Sequence, residues 1–303
     1  MQRRDFVRTG LAAGAGLALS PNVEASSAEA ASTEATAPPA STMPFKHSVC
    51  RWCYGDLSAD ELARAAKTMG IASVELLDPE EWPTVQAHGL TCAMPNPPRP
   101  PAEVTGGPSY LEWGWNRRAH HDWLLPAYEE RLEAVAAAGL PNLICFSGNR
   151  VGLSDEEGLA HCAVGLRQLM PTAERLGVTV CMELFNSKVD HPDYQADSTR
   201  WGAALVDLVG SDRFRLLYDV YHMQIMEGDV IRTLRDYAPY IAHVHTAGVP
   251  GRNEIDETQE LFYPAIARTL AEIGFEGYLA QEFIPTAADP LASLRDAIAR
   301  CTV

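Results

Sequence analysis

The sequence predicts a (β/α)8 barrel, and three observations carry that prediction. Past Phe45, short apolar runs alternate with amphipathic stretches eight times over. Helix-start and helix-stop residues punctuate the alternation, and no glycine-rich dinucleotide fingerprint follows the first apolar run. Strand–helix alternation implies a parallel sheet. Eight repeats is the number that closes into a barrel. A doubly wound open sheet, the competing architecture, usually has fewer strands and carries that fingerprint. The 303 residues hold a barrel of about 250 residues plus an N-terminal extension. A hydrophobic content of 47% is ordinary for a globular chain with a full core.

The expected strands are 47–53, 73–77, 90–94, 142–146, 179–184, 215–219, 241–246 and 277–283. The expected helices are 58–69, 79–87, 122–138, 155–176, 199–209, 229–237, 261–273 and 289–300. Ser58 with Glu61 three residues later reads as a capping box. Gly70, Gly139, Gly177 and Gly274 fall just past helix ends, where a positive φ is wanted. The Pro/Gly-rich stretch 95–121, with its aromatics, follows the third strand on the side where barrel active sites form. A loop that long reads as a lid or a disordered excursion.

Residues 1–20 stand apart from the barrel. Arg3 and Arg4, Phe6, and the short apolar run 9–19 resemble a twin-arginine export signal. That run is too short to span a bilayer comfortably. Residues 21–43, rich in Ala, Ser, Thr and Pro, read as a disordered linker. The catalytic domain is then 44–303, delivered to a periplasmic or extracytoplasmic site, with no integral membrane segment in the mature form. The net charge of −16 repels phosphate backbones and argues against nucleic acid.

Seven scattered cysteines form no disulfide framework. Cys50 and Cys53 make a C-x-x-C inside the expected first strand. Residues three apart in a strand lie about 10 Å apart on opposite faces, beyond disulfide reach. No second C-x-x-C completes a zinc site, so core packing is the expected role.

Catalytic residues of a barrel come from the C-terminal ends of its strands. The last four strands end in Cys-Met-Glu183, Leu-Tyr-Asp219, His243-Val-His245 and Ala-Gln-Glu282. Four consecutive apolar runs thus present Glu, Asp, His and Glu at one level. Burying three carboxylates together is costly unless something compensates their charge. One divalent cation at the centre does so. Three oxygens and one imidazole suit Mn, Mg or Co, whereas structural zinc prefers cysteine-rich shells.

These strand ends resemble the xylose-isomerase-like barrel superfamily, and more closely the hydroxypyruvate isomerase family. The resemblance rests on Glu183-Leu-Phe-Asn186-Ser-Lys188-Val-Asp-His191-Pro-Asp-Tyr194 and Leu217-Tyr-Asp219-Val-Tyr-His222-Met-Gln224. It also rests on His243-Val-His245-Thr-Ala-Gly248-Val-Pro-Gly-Arg252-Asn-Glu254, Gln281-Glu282-Phe283 and Ser48-Val-Cys-Arg51-Trp52-Cys-Tyr54. It covers nearly all of the chain past the linker. It implies one metal held by Glu183, Asp219, His245 and Glu282, with Glu183 and Glu282 as acid and base. It places His222 and Arg252 at the substrate oxygens. Lys188 and His191, on the loop after Glu183, and Glu254, suited to orient Arg252, are further substrate-side candidates by position. One position departs from the pattern: bacterial hydroxypyruvate isomerases often carry Gln where this chain has His245, and ketose 3-epimerases carry His.

The implied reaction converts hydroxypyruvate to tartronate semialdehyde by proton transfer through an enediolate, with a hydride shift as the rival route. General acid–base help of this kind is worth about 10²–10⁴-fold. Arg252 is suited to grip a carboxylate with two parallel hydrogen bonds; its plainer alternative is an ion pair with Glu254 or Asp256. Lys188 and His191 read equally as surface residues, His243 as a satisfied core histidine, and Trp52 and Tyr54 as a pocket wall or as packing. Three other functions compete. A ketose 3-epimerase, or a keto-sugar or keto-inositol isomerase, would use the same residues, and export favours it. An abasic-site endonuclease needs more histidines and a basic cleft. A non-catalytic binding protein has no need of four ligands. Dimers and tetramers are common among relatives, and a homo-oligomer is an expectation by that analogy alone.

Overall fold

A computed structural model describes residues 43–101 and 111–303. These residues form the expected (β/α)8 barrel, with one strand position built differently from the rest. Among them, seven parallel strands are regular: β1 (Lys46–Cys50), β2 (Ser73–Glu75), β3 (Asn142–Cys145), β4 (Thr179–Glu183), β5 (Phe214–Asp219), β6 (Ile241–Thr246) and β7 (Tyr278–Gln281). They run in the order β2-β1-β7-β6-β5-β4-β3.

Residues 90–96 fill the eighth place, between β2 and β3, where the sequence predicts a regular strand at 90–94. On the β2 side they keep backbone bonds: Val74 N to Thr91 O at 3.1 Å, Thr91 N to Ala72 O at 3.0 Å and Leu76 N to Met94 O at 2.8 Å. On the β3 side the contacts are sparse. Ile144 N reaches Pro95 O at 3.5 Å, and the Asn142 amide donates to Ala93 O at 2.8 Å. The chain bends at Ala93 and Met94, and Pro95 has no N–H to return to a ladder. The Ala93 amide donates instead to Ser73 Oγ at 2.8 Å.

β1 stops at Cys50 because Arg51–Tyr54 tighten into a 3-10 helix. Cys50 and Cys53 therefore do not share a strand, and the opposite-faces reasoning does not apply to them. Both are nevertheless free, as are the other five cysteines.

The helices among the described residues are α1 (Ala59–Thr68), α2 (Trp82–Ala87), α3 (His121–Ala137), α4 (Asp155–Leu176), α5 (Thr199–Val209), α6 (Val220–Met226), α7 (Val230–Asp236), α8 (Tyr263–Glu272) and α9 (Pro290–Arg300). Ser58 and Glu61 form the expected capping box. Gly70, Gly139, Gly177 and Gly274 take φ of 75°, 69°, 72° and 70°. α6 is additional to the eight helices expected. It starts directly off β5 because the Asp219 side chain caps it, accepting from Tyr221 N and His222 N.

Strands buried on both faces make the core nearly continuous: Val180, Cys181 and Met182 of β4 are all fully buried. In the stretch 95–121, residues 102–110 lie outside the described residues. The part from 111 on is packed rather than disordered. Trp115 is fully buried, and its amide donates to Phe146 O at 3.2 Å, which ties this segment to the end of β3. The expected export signal at 1–20 and the expected linker, up to residue 42, also lie outside the described residues. No helix among the described residues is long and apolar enough to cross a membrane.

Candidate active site

The C-terminal ends of β4 to β7 bring Glu183, Asp219, His245 and Glu282 together, with one ligand atom from each lying within 4.8 Å of the others. All four are buried. Pairing of β5 with β6 sets Asp219 opposite His245. His245 Nδ1 stands 3.2 Å from Glu183 Oε1 and 3.0 Å from Glu282 Oε2. Asp219 spends Oδ1 on capping α6, bonding Tyr221 N at 2.7 Å and His222 N at 3.2 Å. Its Oδ2 is buried without a hydrogen-bond partner, and so is Glu183 Oε1.

Arg252 supplies the neighbouring positive charge. Its backbone is left-handed, at φ 59°, and its carbonyl accepts from Ile284 N at 2.7 Å, which ties it to the segment after β7. The guanidinium lies over the rings of Trp52 and Tyr221, 5.1 and 5.4 Å from their centroids. Nη2 bonds Glu282 Oε2 at 2.6 Å and lies 3.7 Å from Asp219 Oδ2. Its ion pairs are with these site carboxylates and not with Glu254 or Asp256.

Three carboxylates against one arginine and one imidazole leave negative charge in excess. Burial, with the Glu282 charge adding, pushes the Asp219 carboxyl up to about 8 and the Glu183 carboxyl up to about 6. Burial also works to raise Glu282, but His245 and Arg252 outweigh it and hold that carboxyl well below its usual range. For His245 burial favours the neutral ring, yet Glu282 above all raises it well past the usual imidazole value.

His222 is buried beside Asp219. Its Nδ1 accepts from Asn186 Nδ2 at 2.7 Å and Asn186 N at 3.2 Å, so the proton of the neutral ring sits on Nε2. That nitrogen has no partner and lies 3.6 Å from Asp219 Oδ2. Burial and then Arg252 hold the ring well below its usual pKa, hence neutral. His191 stacks on Phe185 with centroids 4.3 Å apart, and its buried Nε2 has no partner.

Two residues that the sequence suggests for substrate contact, Lys188 and Glu254, are engaged elsewhere. Lys188 donates to the carbonyls of Ile225 at 3.1 Å and Met226 at 2.9 Å, closing the C-terminal end of α6. Glu254 accepts from Thr286 N, Thr286 Oγ1, Ala287 N and Ser293 Oγ. It fastens the loop after β7 and makes no bond to Arg252.

A cavity of about 310 Å³ opens above the carboxylates. Glu183, Glu282, Arg252, His191 and Asn96 give it polar groups; Trp52, Leu76, Leu111, Ile144, Phe146 and Phe185 give it apolar walls. Trp52 is therefore a wall residue, and its Nε1 also donates to Glu282 Oε1 at 2.9 Å. Tyr54 is buried against Phe283.

Sequence reasoning missed Glu75. This fully buried carboxylate lies beneath His245, with Oε1 2.8 Å from His245 Nε2 and 2.7 Å from His243 Nε2. Ser48 Oγ donates to Oε2. Burial opposes its charge, but the two histidines hold the carboxyl down at about 2. The signal was present: an acidic residue inside the apolar strand Ser-Val-Glu-Leu-Leu. His243 is inward and buried as expected, although its Nδ1 has no partner.

The cluster fits a divalent cation on its own geometry. It has two unpartnered buried carboxylate oxygens, an imidazole nitrogen and a third carboxylate, all within reach of one point. Oxygen-rich sets of this kind favour hard or borderline divalent ions.

Residues 56–301 match the family described as xylose isomerase-like TIM barrel. A human protein named "Putative hydroxypyruvate isomerase" is 28% identical over 257 residues, covering 77% of this chain and 87% of its own. The 2-oxo-tetronate isomerase of Haemophilus influenzae is 30% identical over 239 residues, covering 75% and 87%. Among solved structures, an AP endonuclease of family 2 from Brucella melitensis superposes with a TM-score of 0.71 at 24% identity, over 82% of this chain and 97% of that one. That likeness shows the fold alone.

Proposed function

The chain belongs to the xylose isomerase-like TIM barrel family and is an isomerase, and from that premise we propose that it is a metal-dependent isomerase of a short 2-oxo acid, converting hydroxypyruvate to tartronate semialdehyde. The observation that carries the metal is the pair of unpartnered buried oxygens on Glu183 and Asp219 beside His245 and Glu282. The observation that favours an anionic substrate is Arg252, whose buried Nε has no partner at the cavity wall. The two relatives are both named for 2-oxo acids that carry a hydroxyl beside the carbonyl.

The cation, when bound, supplies positive charge that stabilises developing negative charge on the substrate oxygens. The protein's own groups move the protons. Glu183, with an unpartnered oxygen, takes the proton from the hydroxyl-bearing carbon, leaving an enediolate. Glu282 is ionised and held by Trp52, Arg252 and His245. It takes the hydroxyl proton and delivers it to the former carbonyl carbon, while Glu183 returns its proton to the former carbonyl oxygen. The carbonyl moves by one carbon with no net oxidation. His222 donates Nε2–H to a substrate oxygen, and Phe146, Phe185 and Ile144 keep water from the intermediate.

A second reading, ketose 3-epimerisation on the same residues, is favoured by His245. One assay separates the two. Incubate residues 44–303 with Mn²⁺ in heavy water, offer hydroxypyruvate, 2-oxo-tetronate and ketoses, and follow product and deuterium by NMR. Metal-dependent conversion of hydroxypyruvate, lost in folded Glu183→Gln and Glu282→Gln, is expected. Turnover of ketoses alone moves the substrate, and a wild-type chain that binds no Mn²⁺ ends the reading. We propose in addition that residues 1–20 export the enzyme, tested by whether an Arg3→Lys, Arg4→Lys variant stays inside the cell.

A further inference from the structure

We propose that Glu75 is a positioning residue for the metal site: it holds the Nε2 proton of His245 so that Nδ1 is the nitrogen presented to the cation. The inference rests on the reading of the four-residue cluster as a cation site. A histidine ring offers two nitrogens, and the hydrogen bond made by one decides the role of the other. His245 Nδ1 faces Glu183 and Glu282 at 3.2 and 3.0 Å, while Nε2 faces Glu75 at 2.8 Å. Moving the proton to Nδ1 would set an N–H against the metal position and a bare lone pair against a carboxylate, and flipping the ring would present C–H edges to both.

Glu75 is itself fixed from three directions. His243 Nε2 and His245 Nε2 share its Oε1, at 2.7 and 2.8 Å, and Ser48 Oγ bonds its Oε2. Cys50 Sγ lies farther off, 3.8 Å from Oε1. Cys50, Glu75 and His245 could in principle form a second metal grouping. Against that, both Glu75 oxygens already have donors, and His245 has one ring to give. The cluster thus reads as a support for the upper site. His243 and Ser48 have a share in that support, because they keep the Glu75 carboxylate from turning away.

The test uses the wild-type protein and Glu75→Gln, both stripped of metal and titrated with Mn²⁺ by calorimetry. Nitrogen-15 NMR of the ring nitrogens is recorded with Mg²⁺ bound, with His245→Asn for assignment. Expected for the wild type is a protonated Nε2 and a metal-facing Nδ1. Expected for Glu75→Gln, once circular dichroism shows it folded, is Mn²⁺ affinity lower by about 10–100-fold. Wild-type affinity in the variant, or a wild-type ring protonated on Nδ1 with metal bound, overturns the proposal. The ring measurement needs no variant, so it decides even if Glu75→Gln does not fold. A wild-type protein that binds no Mn²⁺ overturns instead the cation reading beneath it.

Discussion

Loading the proposed cation site should expel about two protons at pH 7. The perturbation is addition of Mn²⁺ to the metal-free enzyme, and the count follows from the four ligands. Burial and the Glu282 charge raise Asp219 to about 8, so it keeps its proton at pH 7, while Glu183, raised to about 6, is mostly ionised there. His245, raised well above its usual value, carries a proton on Nδ1 that the cation must displace. Glu282 is already ionised and contributes none. The sign is fixed: these pKa values are raised without the cation, binding demands the deprotonated forms, and affinity falls as pH falls. Two protons correspond to about 100-fold in affinity per pH unit, or about 2.7 kcal/mol. The slope should fall toward one as rising pH ionises Asp219 and steepen as falling pH protonates Glu183. Calorimetry in two buffers of different ionisation enthalpy reads the proton number directly. Tight binding with no proton release would refute the charge balance described for this site.

Two further outcomes are expected. Arg252→Lys keeps the charge but loses the planar group lying over Trp52 and Tyr221, so kcat/KM for an anionic 2-oxo acid should fall about 10–100-fold in steady-state assays. A neutral ketose should be affected less. Glu254 is held down at about 2, where burial opposes its charge but bonds from Ala287 and Thr286 outweigh it. Because its folded pKa is depressed, its contribution is fully present above the unfolded value near 4.5 and lost as pH falls toward 2. The gap in melting temperature between wild type and Glu254→Gln should therefore be open at pH 7 and narrow steadily below pH 4.5.

The sequence made legible what periodicity and strand-end position encode. The alternation of elements located the strands and helices, and the last residues of four strands named Glu183, Asp219, His245 and Glu282 before any distance was known. What it could not show depends on side-chain direction. Lys188 and Glu254 sit in loops beside the site, and their chemistry suits a substrate. Yet one closes the end of α6 and the other fastens a loop, choices made by backbone groups that no local pattern advertises. Glu75 was hidden for the opposite reason. It is far in sequence from His245 and meets it only because the barrel closes and faces β2 inward. The third strand misled because a short apolar run marks a buried extended segment whether or not a ladder forms along it.

That same segment gives the barrel an unequal circumference. Around most of the ring, opening a gap means breaking a ladder of inter-strand bonds. Between residues 90–96 and β3, the backbone bond among the described residues is the 3.5 Å contact from Ile144 to Pro95, helped by the Asn142 amide. Local opening is easiest where fewest bonds must break, so the Ile144 amide should exchange its hydrogen faster than amides at the middle of β5. Asn96 and Ile144, on the two sides of this gap, both line the cavity. The wall of the cavity is therefore least stitched beside Asn96 and Ile144, and most stitched across the four strands whose ends carry Glu183, Asp219, His245 and Glu282.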